Sequence, residues 1–206
     1  MTEVPADHPD QVRWNAKYEA APPPSFTPHP AAEHALAVPP PDGPVLDLAC
    51  GPSGAALLAA ASGRAVTAVD VSDTALSLLG REAGRRRLDG LITLVHADLA
   101  AWTPPRRAFA LVVCTGFWDR RVFGPAAEAV MDGGLLVWEA FTVDARRERP
   151  SLPAEWCLFP GEPATHLPGT FVVLSQRNVP DEPDAPRRRL LARRAPRPQR
   201  PADGNR

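Results

Sequence analysis

The sequence is short of lysine and tyrosine: it has one of each, and they are adjacent, Lys17 and Tyr18. The other 22 basic residues are arginines, set against 24 acids for a net charge of −1. That balance leaves no overall electrostatic footprint for nucleic acid or an anionic membrane, so neither is expected as a partner. Cysteine is scarce too. Cys50, Cys114 and Cys157 are an odd set without paired spacing, which argues against a disulfide framework and for reduced thiols in a cytoplasm. His29, His34, His96 and His166 with the three cysteines include no pair at C-x₂-C or H-x₃-H spacing, so no metal is expected. No apolar run approaches the roughly 20 residues of a membrane span, and the first residues lack the basic and apolar stretches of a secretory leader. Proline is abundant overall, 26 residues, yet the span 45–149 holds four of them, Pro52, Pro104, Pro105 and Pro125. Long regular elements therefore belong to the middle, and turns or short helices to the flanks.

A chain of 206 residues suits one domain. The reading places it at 10–196, with 1–9 and 197–206 as disordered tails. Asp10 is expected to cap a short helix that sets Trp14 and Tyr18 on one face, and a second short helix covers Ala31 to Ala37. The pattern then changes. Val45-Leu46-Asp47-Leu48 reads as a buried strand, followed by the loop Cys50-Gly51-Pro52-Ser53-Gly54 and an alanine-rich helix to Ser62. The same cycle returns with Ala65 to Val69, a helix capped by Ser72 and running to about Arg87, and Leu91 to Val95. Phe109 to Cys114 reads as strand four. A helix around Ala126 to Met131 leads through Asp132-Gly133-Gly134 to Leu135 to Glu139, strand five. Strands apolar on both sides alternating with helices make a doubly wound α/β domain with a mostly parallel sheet. Beyond Phe141, the runs Phe171 to Ser175 and Arg188 to Ala192 are too closely spaced for a crossover helix, so they are expected as an antiparallel pair at one edge.

In an open α/β sheet, ligands bind outside the carboxyl ends of the strands. Here those ends are marked by Ala49, Cys50 and Gly51 after strand one, Asp70 after strand two and Asp98 after strand three. Small residues let the backbone approach a ligand, a carboxylate at Asp70 suits a ribose diol, and Asp98 can accept from an exocyclic amine. Together they outline an adenosine site. Asp47 is expected to hold the glycine loop through backbone N–H groups.

In order, Val45-Leu46-Asp47-Leu48-Ala49-Cys50-Gly51, Val66-Thr67-Ala68-Val69-Asp70-Val71-Ser72, Val95-His96-Ala97-Asp98-Leu99 and Gly133-Gly134-Leu135-Leu136 resemble the motifs of class I S-adenosylmethionine-dependent methyltransferases. More narrowly, Trp14-Asn15-Ala16-Lys17-Tyr18, Phe117-Trp118-Asp119-Arg120, Glu139-Ala140-Phe141-Thr142 and Pro160-Gly161-Glu162 resemble the tellurite-resistance-type branch. The resemblance runs from Trp14 to Arg194. It implies a Rossmann-like fold and S-adenosylmethionine as cofactor. Ala49, Cys50 and Gly51 then serve the methionine part, Asp70 the ribose, and Asp98 with Leu99 the adenine, with Val71 also at the cofactor and Cys114 near the sulfonium. It also implies that Trp118 and Arg120 meet the acceptor, with an internal pair between Arg120 and Asp119 as the alternative. Ser53 stands where the family pattern has a glycine, and serine disfavours a positive φ.

The helix bearing Trp14 and Tyr18 is expected to close over the cofactor, its rings able to stabilise a cation. The activity implied is methyl transfer from S-adenosylmethionine to a small-molecule acceptor, with no residue singled out as catalytic. Two rivals stand beside it: an NAD-dependent oxidoreductase, because a glycine loop with Asp70 also suits that fingerprint, and a non-catalytic S-adenosylmethionine-binding protein. Acceptor and oligomeric state are not legible.

Overall fold

The apolar runs of the middle span and two strands from the C-terminal flank form one seven-stranded sheet in the computed structural model, which describes residues 4–179 and 186–196. The strands are β1 (Val45–Leu48), β2 (Val66–Asp70), β3 (Ile92–His96), β4 (Phe109–Thr115), β5 (Val130–Phe141), β6 (Phe171–Val179) and β7 (Arg187–Arg194). The helices are α1 (Pro9–Ala20), α2 (Pro30–Ala37), α3 (Gly54–Ala61), α4 (Asp73–Arg85) and α5 (Arg120–Ala129). Strand order is β3-β2-β1-β4-β5-β7-β6. Neighbours from β3 through β5 are parallel, and β7 joins β5 and β6 antiparallel, which is the expected edge pair.

Alternation along the strands divides the core in two. One face presents Leu46, Leu48, Val112, Leu136 and Trp138 to Val122 and Phe123 of α5. The other presents Val45, Leu111, Val113, Leu135 and Val137 to Ala31 and Ala35 of α2, Leu57 of α3 and Leu79 of α4. Small alanines let α2 and α3 lie close to the sheet. Because β1 is flanked by β2 on one side and β4 on the other, the strand order reverses there, and the crevice at its carboxyl end is where such sheets bind ligands. Among the described residues, no helix is long and apolar enough to cross a membrane.

Four expectations change. The first helix begins at Pro9 with His8 at the cap position, not at Asp10, because proline is preorganised for the first helical position. The segment ahead of it, expected to be disordered, turns back through a His8 N–H to Pro5 carbonyl bond and buries Val4 at 7% exposure. The fifth helix begins at Arg120, capped by Asp119, and contains Pro125. Finally, Asp132-Gly133-Gly134 is no loop: β5 runs from Val130, with Phe109 facing Val130 and Leu111 facing Leu135, so Met131 to Gly134 form a bulge that Gly133 turns at φ +77°. The expected tail at 197–206 lies outside the described residues.

Candidate active site

The chain leaves β1 through two residues in the left-handed region, Ala49 (φ +48°) and Gly51 (φ +57°). This turn is held by a carboxylate from the neighbouring strand. Asp70 accepts from the Gly51 N–H at 2.7 Å and from the Ser72 N–H at 2.8 Å, one bond to each oxygen. Each oxygen keeps a lone pair for a further donor. Burial pushes the Asp70 carboxyl above its usual range, against those N–H groups, which favour the charged form.

Below the loop, Asp47 is engaged chiefly by the Ser53 side chain, and the Ala56 N–H also favours its charged form. The Ser53 hydroxyl donates to Asp47 at 2.5 Å and accepts from the Ala56 N–H at 3.0 Å, so Ser53 is the N-cap of α3. Its φ is −80°, and the conformational objection to a serine here disappears. Burial raises the Asp47 carboxyl to about 7; the Ser53 bond opposes this, and the charge of Asp70 adds to it.

Helix α1 lies over this loop. A Cβ built on Gly51 would stand 2.8 Å from the Tyr18 hydroxyl, so a side chain at 51 and the present position of Tyr18 exclude each other. Trp14 stacks on Tyr18 with centroids 5.9 Å apart. Burial, and then Asp70 and Cys50, push the Tyr18 hydroxyl far above its usual range. The helix is tethered to α4 by polar bonds: Asn15 donates to Asp73 at 2.6 Å and accepts from Ser72 at 2.6 Å, and Gln11 donates to Asp73 at 3.3 Å. Tyr18 thus stands over Gly51, near Asp70 and Cys50, with Trp14 stacked on its far side.

The remaining candidates divide. Asp98 is half-buried at the end of β3; one oxygen accepts from the Ala100 N–H at 2.9 Å and the other lies 3.7 Å from the His8 ring. Leu99 is buried beside it, and the Val71 carbonyl is engaged by the His96 ring at 3.0 Å. Cys114 differs from expectation. It has no exposed surface, its thiol faces the Phe117 carbonyl at 3.8 Å, and burial raises its pKa well above the usual value, so its side chain packs the core and does not face a ligand.

Trp118 is likewise withdrawn from the acceptor side. It is 3% exposed and wedged between Phe123 and Trp138, because an indole gains more from that aromatic cluster than from a solvent-facing wall. Arg120 forms an internal pair, but not with Asp119. Its guanidinium bonds to the buried Glu162 at 2.8 Å, while Asp119 caps α5 and holds Arg121 at 2.7 Å.

One charged centre went unassigned in the sequence. Glu139, near the end of β5, is 2% exposed and accepts from Arg189 at 2.6 Å; His29 stands 3.4 Å away and Arg187 3.9 Å. Burial alone would raise its carboxyl, but His29 and Arg189 outweigh that and the net shift is downward. It is thus held ionised. The pairing is written in the register, Glu139 facing Arg189 across β5 and β7, and only a known register reveals it.

Residues 45–134 match a family model described as a methyltransferase domain. No curated protein sequence matches the chain. Among solved structures, the fold is similar to that of a protein from work on conversion of a disulfide bond into a thioacetal group during echinomycin biosynthesis, with TM-score 0.70 and 20% identity over 90% of this chain and 93% of that one. It is also similar to geranyl diphosphate C-methyltransferase from Streptomyces coelicolor A3(2), with TM-score 0.66 and 14% identity over 80% and 78%. A third likeness is to phosphoethanolamine N-methyltransferase 2 of Haemonchus contortus, with TM-score 0.65 and 14% identity over 93% of this chain and 58% of that one. The matched residues run from the first strand through the glycine pair of the fifth, and the two antiparallel edge strands, shared in the fold likeness, lie beyond them.

Proposed function

We propose that the protein transfers a methyl group from S-adenosylmethionine to a small-molecule acceptor. The observation that carries this is the loop Ala49 to Gly51 turning back at the end of β1 with its N–H pinned by Asp70. The residues fit the cofactor. Gly51 brings no side chain of its own beneath the Tyr18 hydroxyl, Asp70 offers a lone pair on each oxygen to a ribose diol, and Asp98 retains an oxygen for the adenine amine. When bound, the cofactor supplies a methyl group already activated on a sulfonium. What the chain must add is alignment and exclusion of water. Trp14 and Tyr18 on α1 cover the loop, and their rings suit a sulfonium charge. Glu139, held ionised by Arg189 and His29, is a poor proton acceptor, which favours an acceptor that arrives as a ready nucleophile.

The tellurite-resistance-type branch remains our narrower reading. It is supported by Tyr18 standing at the glycine loop and by the Glu162 contact of Arg120, which draws two of the branch-like motifs together. Three thiols without a disulfide fit a cytoplasmic setting. Fold alone does not decide the chemistry, and a [4+2]-cyclase, SpnF, is similar at TM-score 0.61 and 14% identity. Calorimetry with S-adenosylmethionine, S-adenosylhomocysteine and NAD separates the readings. We expect micromolar binding of the first two; preferential binding of NAD would sink the proposal. Binding without methyl transfer across a panel of thiol, amine and oxyanion acceptors would favour a non-catalytic or cyclase-like role.

A further inference from the structure

The cations of this protein fall into two groups. Arg85, Arg86, Arg106, Arg107, Arg120, Arg121, Arg189 and Arg194 each contact a carboxylate. Among the cations with no carboxylate contact in the described residues, Arg13, Lys17 and Arg149 gather at one place, beside Arg187, which has Glu139 at 3.9 Å. The Phe141 ring, just past Glu139 at the carboxyl end of β5, lies 4.3 Å from the Arg187 guanidinium and 5.1 Å from that of Arg149. The same Arg187 reaches to 4.0 Å from a Cβ built on Gly116, two residues beyond Cys114 at the end of β4. Lys17 stands beside Tyr18, which covers Gly51, and its ammonium lies 4.2 Å from the Trp14 ring. Arg13 sits between Trp14 and Trp156, at 5.2 and 4.5 Å.

These charges feel one another. Partial burial, and then Arg13, Arg149 and Arg187, hold the Lys17 pKa below its ordinary value. Beside them opens a groove of about 580 Å³ lined by Arg13, Arg149, Leu152 and Trp156, with Glu148 as its one acidic wall. Arg187 has the ionised Glu139 at 3.9 Å, whereas Arg13, Lys17 and Arg149 repel one another over the aromatic rings, and an anion placed among them relieves that repulsion. Their position is telling. They bridge the glycine loop and the ends of β4 and β5, where an acceptor must stand to meet a methyl group carried at that loop.

Resting on the methyltransferase reading, we propose that the methyl acceptor carries an oxyanion, a carboxylate or phosphate, and that Lys17, Arg149 and Arg187 bind it, with Arg13 guarding the entrance. Arg120, expected to meet the acceptor, is instead occupied by Glu162. Guanidinium groups suit such a ligand because their paired N–H donors match two oxygens.

The test titrates inorganic diphosphate and phosphate by calorimetry into the full-length protein at low salt, with and without saturating S-adenosylhomocysteine. We expect millimolar or tighter binding of diphosphate to wild type, weakened at least tenfold in Arg149→Gln and in Lys17→Gln. Arg81→Gln, an arginine on α4 away from the cluster, should match wild type. S-adenosylhomocysteine affinity in Arg149→Gln should stay within about twofold. Two results overturn the proposal: no diphosphate binding, or binding equal in all variants. A third does so as well. If both cluster variants lose S-adenosylhomocysteine affinity and keep diphosphate binding, the cluster serves the cofactor's own carboxylate. Failure of S-adenosylhomocysteine to bind wild type counts against the methyltransferase reading instead, and the titration without it still decides whether the anion site exists.

Discussion

The half of the molecule that carries the glycine loop and the half that covers it are built on different scales. Around the loop, polar partners are near in sequence: Asp47 and Ser53 are six residues apart, Asp70 and Ser72 two, Asp70 and Gly51 nineteen. In the cover they are distant. Gln11 reaches Asp73 across 62 residues, Arg120 reaches Glu162 across 42, and Glu139 reaches Arg189 across 50. The loop half satisfies its buried groups through strand ends and helix caps, which are consequences of local chemistry. The cover depends on side-chain pairs that exist only once the sheet has assembled.

Cutting one of those distant pairs should have the largest effect. Glu139→Ala leaves Arg189 buried and unpaired, and we expect a loss of about 3–5 kcal/mol in denaturant unfolding. The double change Glu139→Met with Arg189→Leu should recover most of it, because it removes both charges and keeps volume. A loss under about 1 kcal/mol in the single variant would show that water or His29 compensates, and the contrast between the halves would weaken.

The loop half offers the next effect, with an unusual sign. The Asp47 carboxyl is raised to about 7 in the folded protein from 3.8 in a free chain. Between those values the native state holds a proton that the unfolded state releases. Stability should therefore fall as pH rises from about 4 to 7 and level off above. Asp47→Asn should flatten that slope, gaining about 2–4 kcal/mol relative to wild type on going from pH 5 to pH 8. Urea unfolding at both pH values decides it; parallel shifts in the two proteins would remove Asp47 as the cause.

The same difference in scale explains what was legible. β1 to β3, their helices, Asp70 and the Ser72 cap follow from period, capping and the α/β rule, since each signal lies within about twenty residues of its partner. The antiparallel edge was readable from the short gap before Arg187. By contrast, Cys114 and Trp118 were carried over with a motif, and a motif fixes a position along the chain but not the face on which a side chain points. The Glu162 contact of Arg120, the Arg189 contact of Glu139 and the gathering of Lys17, Arg149 and Arg187 needed a three-dimensional register. The two short helices of the proline-rich N-terminal flank were legible from caps and breakers, whereas the burial of Val4 was not.

Asp70 tests whether the loop half is merely self-satisfied or prepared for a ligand. Asp70→Ala should weaken S-adenosylhomocysteine binding by more than tenfold, about 1.4 kcal/mol or more, and should destabilise the loop by leaving the Gly51 and Ser72 N–H groups without acceptors. Asp70→Asn separates the two roles: its carbonyl can still accept from Gly51, so stability should partly return while cofactor affinity stays low. If affinity returns with stability, Asp70 is a brace for the turn and nothing more.

The smallest expected effect probes how the two halves are joined. Asn15 bonds to Asp73 and Ser72 from a helix whose one buried residue is Gln11, so α1 is fastened to the loop half chiefly by polar contacts that water can replace. Asn15→Ala should cost about 1 kcal/mol, spent on local opening of α1 and not on unfolding the sheet. Hydrogen exchange should then quicken in residues 9–20 while β1 and β2 keep their protection. S-adenosylhomocysteine, held beneath Tyr18, should slow it again. Equal quickening in α1 and in β2 would mean that the cover and the loop open as one unit, and the division between local and distant construction would have no dynamic counterpart.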